Sequence, residues 1–501
     1  MSLLWGIDEL ARVTGGRWIS APDETWAPNR VSYDVTGKMT GHICVLVHKS
    51  TWGKHRRDPT GDIPRLAKHK AAALIVQHHH LDALARSGEA FPESVPVLLV
   101  ESTWAALRKM AVAARDRFGG KVFALTGTVG KTTTRELIRH LTSFQGGAES
   151  SRGNNNNISG VFRTVAYTPR DLAATVVEMG FGKPFNGIER SSIVARPDVA
   201  ILTGIDVAHF DMFTDEMLAG ASGQELLCQH KSCIFKGLTD DGAAVINADM
   251  AQYEQARKVA EANTKRVFCF GESDFADARI ISLELFADRS HLSCELFGAE
   301  HQFTIGLPGR HMALNALCAL LAVTAAGFDV DQAVRDIESF QAVRGRARCV
   351  AAVIDGNKKI HVIDDSFNAT LASMRSTIDL LDLAEPDPGG RRIAVIGEIA
   401  HVGRNEAEEH RKLAAHVTGS KTDLVFSWGP LMKAMYESLP ATMRGGHQDV
   451  SVEALYGQIR PVLQDGDVIT LKSGRGVNGL GDIKFRKFVS HLLEGAPELK
   501  L

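Results

Sequence analysis

The chain has 501 residues, with 44% hydrophobic and 23% charged side chains and a formal net charge of −2 at pH 7. This length predicts several domains, and the near-zero charge gives no electrostatic reason to expect binding to nucleic acid or to a membrane surface. No apolar run is long enough to span a membrane and no secretory signal opens the chain, so we expect a cytoplasmic protein.

The first predicted domain covers residues 1–117 and is a small α/β domain. Helices are predicted over 7–13 and 103–118, where apolar residues recur at helical spacing. Gly119 and Gly120 form a helix stop and a natural domain boundary. The predicted strands are the apolar runs at 43–47, 72–76 and 95–100.

The second predicted domain covers residues 118–342. Strands alternate with helices here, which predicts a central, mostly parallel sheet with helices on both faces. The segment 311–326 is apolar almost all round and predicts a buried helix. The predicted strands are the runs at 122–125, 174–177, 199–202 and 243–246.

The third predicted domain covers residues 343–501 and is expected to be a Rossmann-like α/β domain. A turn-rich break lies at 385–390, inside an otherwise regular alternation of strands and helices. The predicted strands are the runs at 361–363, 393–396, 424–427 and 468–471.

A glycine-rich loop between the first strand and helix of the second domain predicts a phosphate site. Its core is Gly127-x-x-Gly130-Lys131-Thr132, although the strict Walker pattern would need a glycine at Leu125. Glycines let backbone N–H groups turn towards phosphate oxygens, and the helix N-terminus adds positive potential. A plain glycine turn between strand and helix is the alternative interpretation.

Further motifs follow the loop in chain order. Together with the loop wording Thr-Gly-Thr-x-Gly-Lys-Thr-Thr, they make the chain resemble the Mur ligase family from about residue 30 to 475. The stretch 364–369, Asp-Asp-Ser-Phe-Asn-Ala, resembles the branch that adds D-alanyl-D-alanine to the UDP-N-acetylmuramoyl-tripeptide. The motifs lie at 153–161, 177–180, 208–209, 231–235, 309–315, 364–369 and 397–399.

The resemblance implies a three-domain, ADP-forming ligase of peptidoglycan synthesis that makes an amide bond through an acyl phosphate. ATP and Mg²⁺ would be the cofactors, with two ions expected. Thr132, Glu178, His209 and a carbamylated Lys231 would hold the metal. Lys131 would bind the outer phosphates, together with the loop residues Gly127, Thr128, Gly130, Thr132 and Thr133.

The resemblance also assigns residues to the remainder of the site. Asn315 would bind adenine, Arg346 the γ-phosphate, and Asp365 the ribose or a lysine network. The residues expected to meet the substrates are Asn157, Asn368, Lys472 and Arg475. For each polar residue a plainer interpretation stays open: a bystander histidine, a solvated lysine, a helix-capping amide or a basic surface loop.

Several positions depart from the family pattern, mostly at the substrate ends. Thr36 stands where the family has an arginine, and Phe367 stands for a tyrosine. We therefore expect a small-molecule carboxylate acceptor and an amino-acid or dipeptide amine as substrates. The chain is also expected to be a monomer. The peptidoglycan ligase that the resemblance implies is the main prediction for the function. The alternatives are a relative repurposed for a non-UDP acceptor in specialised metabolism and a non-catalytic ATP-binding regulatory protein.

Overall fold

The computed structural model contains three β-sheets among its described residues, which follow one another along the chain. It describes residues 3–33, 35, 37–47, 59–88, 90–153, 155–399, 406–449, 451–474, 488–490 and 492. Among these residues no helix is both long and apolar enough to cross a membrane.

The N-terminal sheet has the strand order β1-β5-β4-β3-β2. Strands β2 to β5 are parallel, and β1 pairs antiparallel with β5 at one edge. Sequence patterns predicted β3, β4 and β5 but not the two short edge strands. The strands are β1 Arg17–Ser20, β2 Arg30–Ser32, β3 His42–Val45, β4 Ala73–Val76 and β5 Val97–Leu99. The helices are α1 Ile7–Thr14, α2 Ile63–Lys68, α3 His78–Ser87 and α4 Thr103–Arg117.

The middle sheet has nine strands in the order β14-β13-β12-β11-β10-β9-β6-β8-β7. The strands are β6 Lys121–Thr126, β7 Ala148–Ser150, β8 Ala174–Glu178, β9 Val199–Leu202, β10 Ala243–Asn247, β11 Arg266–Gly271, β12 Ala278–Leu285, β13 Ser290–Leu296 and β14 Ala299–Ile305. The helices are α5 Lys131–Ser143, α6 Ile158–Ala166, α7 Gly187–Ala195, α8 Asp215–Gly220, α9 Gly223–Ser232, α10 Tyr253–Glu261, α11 Arg310–Ala325 and α12 Val330–Ile337.

Helices cover both faces of the middle sheet, as its sequence pattern predicts. Alternate residues of β6 point to opposite faces, because side chains alternate along a strand. Phe123 belongs to the same apolar core as α5 and α11, whereas Val122 belongs to a second core formed with α4, α6 and α7. The fully buried faces explain why these strands appear in the sequence as continuous apolar runs.

The edge of the middle sheet differs from the expected parallel arrangement. Strands β6 to β11 are parallel, but β12, β13 and β14 form antiparallel hairpins. Much of β12 is half-buried or exposed, so it lacks the continuous apolar run that marks the other strands.

The C-terminal sheet has the order β15-β16-β20-β17-β18-β19 and is parallel except for β15. Its neighbouring strands β16 and β20 both end beside the middle sheet, and Asp365 and Lys472 lie at those ends. Ligands of open parallel sheets bind at such carboxyl ends. The strands are β15 Arg348–Ile354, β16 Lys358–Asp364, β17 Arg392–Gly397, β18 Leu424–Trp428, β19 Arg444–Gln448 and β20 Val468–Lys472. The helices are α13 Leu371–Leu383, α14 Glu406–Thr418, α15 Lys433–Glu437 and α16 Val452–Ile459.

Candidate active site

A cavity of about 580 Å³ opens between the middle and C-terminal sheets. Most of the site residues predicted from the sequence line this cavity, although they are spread over more than 340 positions of the chain. Gly127 is not among the lining residues, although its carbonyl accepts from two lysines that are. Arg475 lies outside the described residues. The predicted residues that line it are Thr128, Gly130, Lys131, Thr132, Thr133, Asn157, Glu178, His209, Lys231, Asn315, Arg346, Asp365, Asn368 and Lys472.

The glycine-rich loop needs glycine at Gly130 for two reasons. Its φ is 82°, in the left-handed region that disfavours a side chain. A Cβ at this position would also lie 2.4 Å from Oδ1 of Asn315. The first Walker glycine is missing because Leu125 is a buried residue of β6, a strand that runs on to Thr126.

Two lysines, the buried Lys231 and the half-buried Lys131, converge on one carbonyl of this loop. The Lys131 ammonium donates to the Gly127 carbonyl at 2.6 Å and to the Thr128 carbonyl at 3.1 Å. The Lys231 ammonium donates to the same Gly127 carbonyl at 2.9 Å. Burial lowers the pKa of both lysines, and the charge of Lys131 lowers the pKa of Lys231 further.

Glu178 ends β8 and is held by three donors. It accepts from the Thr132 hydroxyl at 3.0 Å, from Arg135 at 3.1 Å and from Asn156 at 2.9 Å. Sequence reasoning missed Arg135 and Asn156 as partners of this carboxylate. Asn156 stood in the asparagine run at 153–157, but nothing local marked Arg135, which is only 3% exposed.

The aromatic side chain of Phe181 lies next to two of the predicted metal ligands, His209 and Lys231. The Phe181 ring lies 6.0 Å from the His209 ring and 5.7 Å from the Lys231 ammonium. His209 has a left-handed backbone conformation, with φ of 60°, which turns the chain at this edge of the cavity. Sequence reasoning did not single out Phe181, because an aromatic residue after a buried strand is usually a packing residue.

Arg346 crosses from the side of the C-terminal sheet to the loop. Its guanidinium donates to the Thr132 hydroxyl at 3.2 Å and lies 4.2 Å from the centre of the Phe367 ring. The arginine therefore connects the C-terminal side of the cavity to the glycine-rich loop.

Asp365 joins a buried polar network below the cavity. It accepts hydrogen bonds from the Lys472 ammonium and from the Thr377 hydroxyl. Burial lowers the pKa of Lys472, and burial also lowers the pKa of His311 to about 4. Asp365 was expected to bind either the ribose or a lysine network. Its contact with Lys472 favours the lysine network.

The donor chemistry of the cavity fits a magnesium ion in part. Thr132 and Glu178 offer a hydroxyl and a carboxylate 3.0 Å apart, and Mg²⁺ prefers oxygen ligands. In the described part of the chain, no group of three or more histidine, cysteine, aspartate or glutamate side chains could hold a metal. Further oxygen ligands would therefore come from bound phosphate, water or a carbamate on Lys231.

The sequence matches known protein-family models and curated proteins. Residues 125–323 match the Mur ligase middle domain, and residues 345–475 match the Mur ligase glutamate ligase domain. A curated relative from Rickettsia prowazekii, UDP-N-acetylmuramoyl-tripeptide–D-alanyl-D-alanine ligase, is 26% identical over 76% of this chain and 81% of its own length.

Solved structures resemble the whole fold. MurF from Acinetobacter baumannii superposes with a TM-score of 0.78 at 21% identity, over 98% of this chain and 99% of its own. MurF from Thermotoga maritima, solved in complex with ADP, gives a TM-score of 0.70 at 21% identity, over 93% and 98% of the two chains. These likenesses confirm the expected three-part α/β fold.

The expectation of a small-molecule carboxylate acceptor is wrong. The curated relative is named for a UDP-N-acetylmuramoyl-tripeptide and D-alanyl-D-alanine, and its match extends over three quarters of the chain. The expectation depended on single replaced motif residues such as Thr36. Local replacements of that kind do not reveal what other side chains the fold brings to the same place.

Proposed function

The chain belongs to the Mur ligase family, and we propose that it joins UDP-N-acetylmuramoyl-tripeptide to D-alanyl-D-alanine, using ATP and releasing ADP and phosphate. This is a ligase reaction that forms a C–N bond, as in peptidoglycan synthesis. The proposal depends chiefly on one observation: Arg346, beside the C-terminal sheet, meets Thr132 of the phosphate loop across a single cavity.

The proposed reaction has two chemical steps. A carboxylate oxygen of the acceptor attacks the γ-phosphorus of ATP, the bond to the β–γ bridging oxygen breaks, and ADP leaves. The amine of the dipeptide then attacks the acyl carbon, phosphate leaves with the bonding electrons, and the amine loses a proton. Positioning and charge neutralisation contribute most of the catalysis in such phosphoryl transfer.

Lys131, the loop amides and Arg346 would neutralise the transferring phosphoryl group. Lys131 now contacts the carbonyls of Gly127 and Thr128, so phosphate oxygens would replace those acceptors. Arg346 offers a second cation from the opposite side. Closure of the two sheets around the nucleotide would keep water from the acyl phosphate.

We propose that Thr132, Glu178, His209 and Lys231 hold the magnesium, which would supply positive charge to the phosphates. Carbamylation needs a neutral amine, because the free electron pair of nitrogen attacks carbon dioxide. The lowered pKa of Lys231 supports that chemistry. The product would be an anionic oxygen ligand next to the loop.

The remaining assignments follow the same layout. We propose that residues 1–117 bind the acceptor, residues 118–342 bind ATP, and residues 343–501 bind the amine. Asn157 would contact the acceptor, while Asn368, Lys472 and Arg475 would lie on the amine side. Asn315 is proposed to contact adenine, since its carboxamide lies beside the loop glycine Gly130.

A direct ligation assay tests the proposed function. The protein is incubated with ATP, Mg²⁺, UDP-N-acetylmuramoyl-tripeptide and D-alanyl-D-alanine, and both ADP and the pentapeptide product are measured by mass spectrometry. We expect equal amounts of the two products, and loss of both in Lys131→Ala. Tight ATP binding without pentapeptide would contradict the proposal and favour the non-catalytic alternative.

A further inference from the structure

A buried arginine on the helix that follows the phosphate loop contacts a predicted metal ligand, and the proposed steps give it no role. Arg135 lies on α5, just beyond the loop residues Lys131 and Thr132. Its guanidinium donates to Oε2 of Glu178 at 3.1 Å, and both side chains are buried. Because neither group can exchange its partner freely for water, the contact restricts where the carboxylate of Glu178 can lie.

A second carboxylate balances the charge of Arg135. Its Nε and Nη2 both donate to Oε1 of Glu136, at 3.0 Å and 2.7 Å, while Nη1 is the nitrogen that contacts Glu178. Since Glu136 neutralises the guanidinium, Arg135 offers Glu178 a hydrogen-bond donor with little excess positive charge. A metal cation bound at Glu178 would therefore meet little repulsion from the arginine.

The two carboxylate oxygens of Glu178 are held from different segments of the chain. Arg135 donates to Oε2, and the carboxamide of Asn156 donates to Oε1 at 2.9 Å. One donor on each oxygen fixes the plane of the carboxylate. The Thr132 hydroxyl also donates to Oε2. An ionised carboxylate has about four acceptor positions, so these three donors leave one for a metal ion.

The same arginine nitrogen also holds the segment that carries Asn156. Nη1 of Arg135 donates to the Gly153 carbonyl at 3.0 Å. Further along this segment, the backbone N–H of Gly180 donates to the Asn156 carbonyl at 2.7 Å. The segment is thus attached at one end to α5 and at the other to the chain that follows Glu178. Arg135 therefore holds Glu178 directly and also helps to place the second donor to its carboxylate.

We propose that Arg135 is a positioning residue that holds Glu178 in the orientation needed to bind Mg²⁺, an assignment that depends on the metal site proposed above. Hydrogen-bond partners of metal ligands orient those ligands, and loss of such a partner typically weakens metal binding or activity about 10- to 100-fold. Arg135 would not contact the metal ion, because a guanidinium has donors but no acceptor. It acts through Glu178.

Metal binding to the full-length protein in the presence of ADP tests this role independently of catalysis. The Kd of Mn²⁺, which also takes oxygen ligands, is measured by electron paramagnetic resonance for the wild type, Arg135→Met and Arg135→Lys. We expect Arg135→Met to raise this Kd about tenfold or more. Arg135→Lys keeps a cationic donor and should raise it much less. The Kd of ADP in EDTA should not change, because Lys131 and the loop amides would hold the phosphates without metal.

Arg139→Met is the matched control for these variants. Arg139 lies on the same helix, its side chain is 41% exposed, and it donates to the other oxygen of Glu136 at 2.8 Å. The control removes an arginine that shares Glu136 with Arg135. It should leave the Kd of Mn²⁺ at the wild-type value.

Each contrary result identifies what fails. If Arg135→Met binds Mn²⁺ as tightly as the wild type, the positioning role is wrong, while the ligation assay still decides the proposed function. If the Kd of Mn²⁺ and the Kd of metal-free ADP rise together, Arg135 only maintains the fold, which also overturns the proposal. If the wild type binds no Mn²⁺ beside ADP, the metal site is wrong and the positioning role fails with it.

A second variant covers the case in which Arg135→Met does not fold. Arg135→Gln keeps an amide that can still donate to Glu136, but its side chain is shorter than the guanidinium that reaches Glu178. The same rise in the Kd of Mn²⁺ is expected, and an unchanged Kd would overturn the proposal.

Discussion

Arg346 is held between an aromatic ring of its own side and a hydroxyl of the phosphate loop. The Phe367 ring supports the guanidinium at 4.2 Å, and Thr132 accepts from it at 3.2 Å. The ring thus directs the arginine towards Thr132, so we regard Phe367 as a positioning residue for the proposed reaction. Where the family pattern has tyrosine, phenylalanine keeps the same ring face.

Replacing Phe367 should slow the reaction more than it weakens nucleotide binding. A lost cation–π contact is worth about 0.5 to 2 kcal/mol, so Phe367→Leu should lower kcat about 2- to 30-fold. The Kd for ADP, measured by calorimetry, should change little. Phe367→Tyr retains the ring and should keep the wild-type rate. A Phe367→Leu enzyme with unchanged kcat would show that the ring does not position Arg346.

The proposed ligase reaction should require Lys231 in its carbamylated form. Lys231→Ala removes the nitrogen that would carry the carbamate, and we expect kcat to fall about 100-fold or more, as when a preorganised electrostatic group is lost. Added acetate or formate should restore part of the rate by occupying the empty space as a carboxylate. Lys236→Ala, an exposed lysine paired with Glu189, is the control. Rescue that fails at every acid concentration would argue against carbamylation.

At the scale of elements, the best-predicted piece is α11, whose side chains are apolar almost all round. It runs through the core shared with α5 and the middle sheet, and its first turn borders the cavity. The helix therefore stabilises the middle sheet and also fixes the position of Asn315 beside the loop.

A cavity in α11 should cost much stability. Leu317 is fully buried, so Leu317→Ala should lower the free energy of unfolding by about 2 to 5 kcal/mol. Urea denaturation followed by circular dichroism measures the change. Ile193→Ala at a 50% exposed position of α7 should stay within about 0.5 kcal/mol of the wild type. Equal losses in the two variants would mean that α11 is not central to the core.

At the scale of the whole molecule, the cavity lies between the middle and C-terminal sheets, so one bound ligand would contact both. Residues from both sheets line it, and Arg346 bridges them. A nucleotide bound there should stabilise both parts together, because it would contact both.

Nucleotide binding should therefore raise the melting temperature of the whole chain. A non-hydrolysable ATP analogue, which carries the γ-phosphate that Arg346 would contact, contributes about 2.7 kcal/mol to the free energy of unfolding at a hundredfold excess over its Kd. Differential scanning calorimetry should show this shift in the wild type, a smaller one in Arg346→Met and almost none in Lys131→Ala. Arg257→Met, at a surface position of α10, should behave as the wild type. An undiminished shift in Lys131→Ala would place the nucleotide elsewhere.

Local sequence determined much of this protein. The phosphate loop, the buried strands and α11 are marked by residues close together in the chain, because strand, turn and helix preferences act over short distances. The family resemblance then placed Glu178, His209, Lys231, Arg346 and Asp365, and the fold brings these residues to the same cavity as the loop. The match to Mur ligase domains confirms that resemblance.

Tertiary structure alone decided the remaining features. Arg135 against Glu178, Phe367 beneath Arg346 and the antiparallel edge of the middle sheet depend on contacts between distant segments, which no local pattern encodes. The acceptor was misjudged for the same reason: Thr36 was read as a lost positive charge. Only contacts between distant segments show which charged side chains the fold brings to the same place.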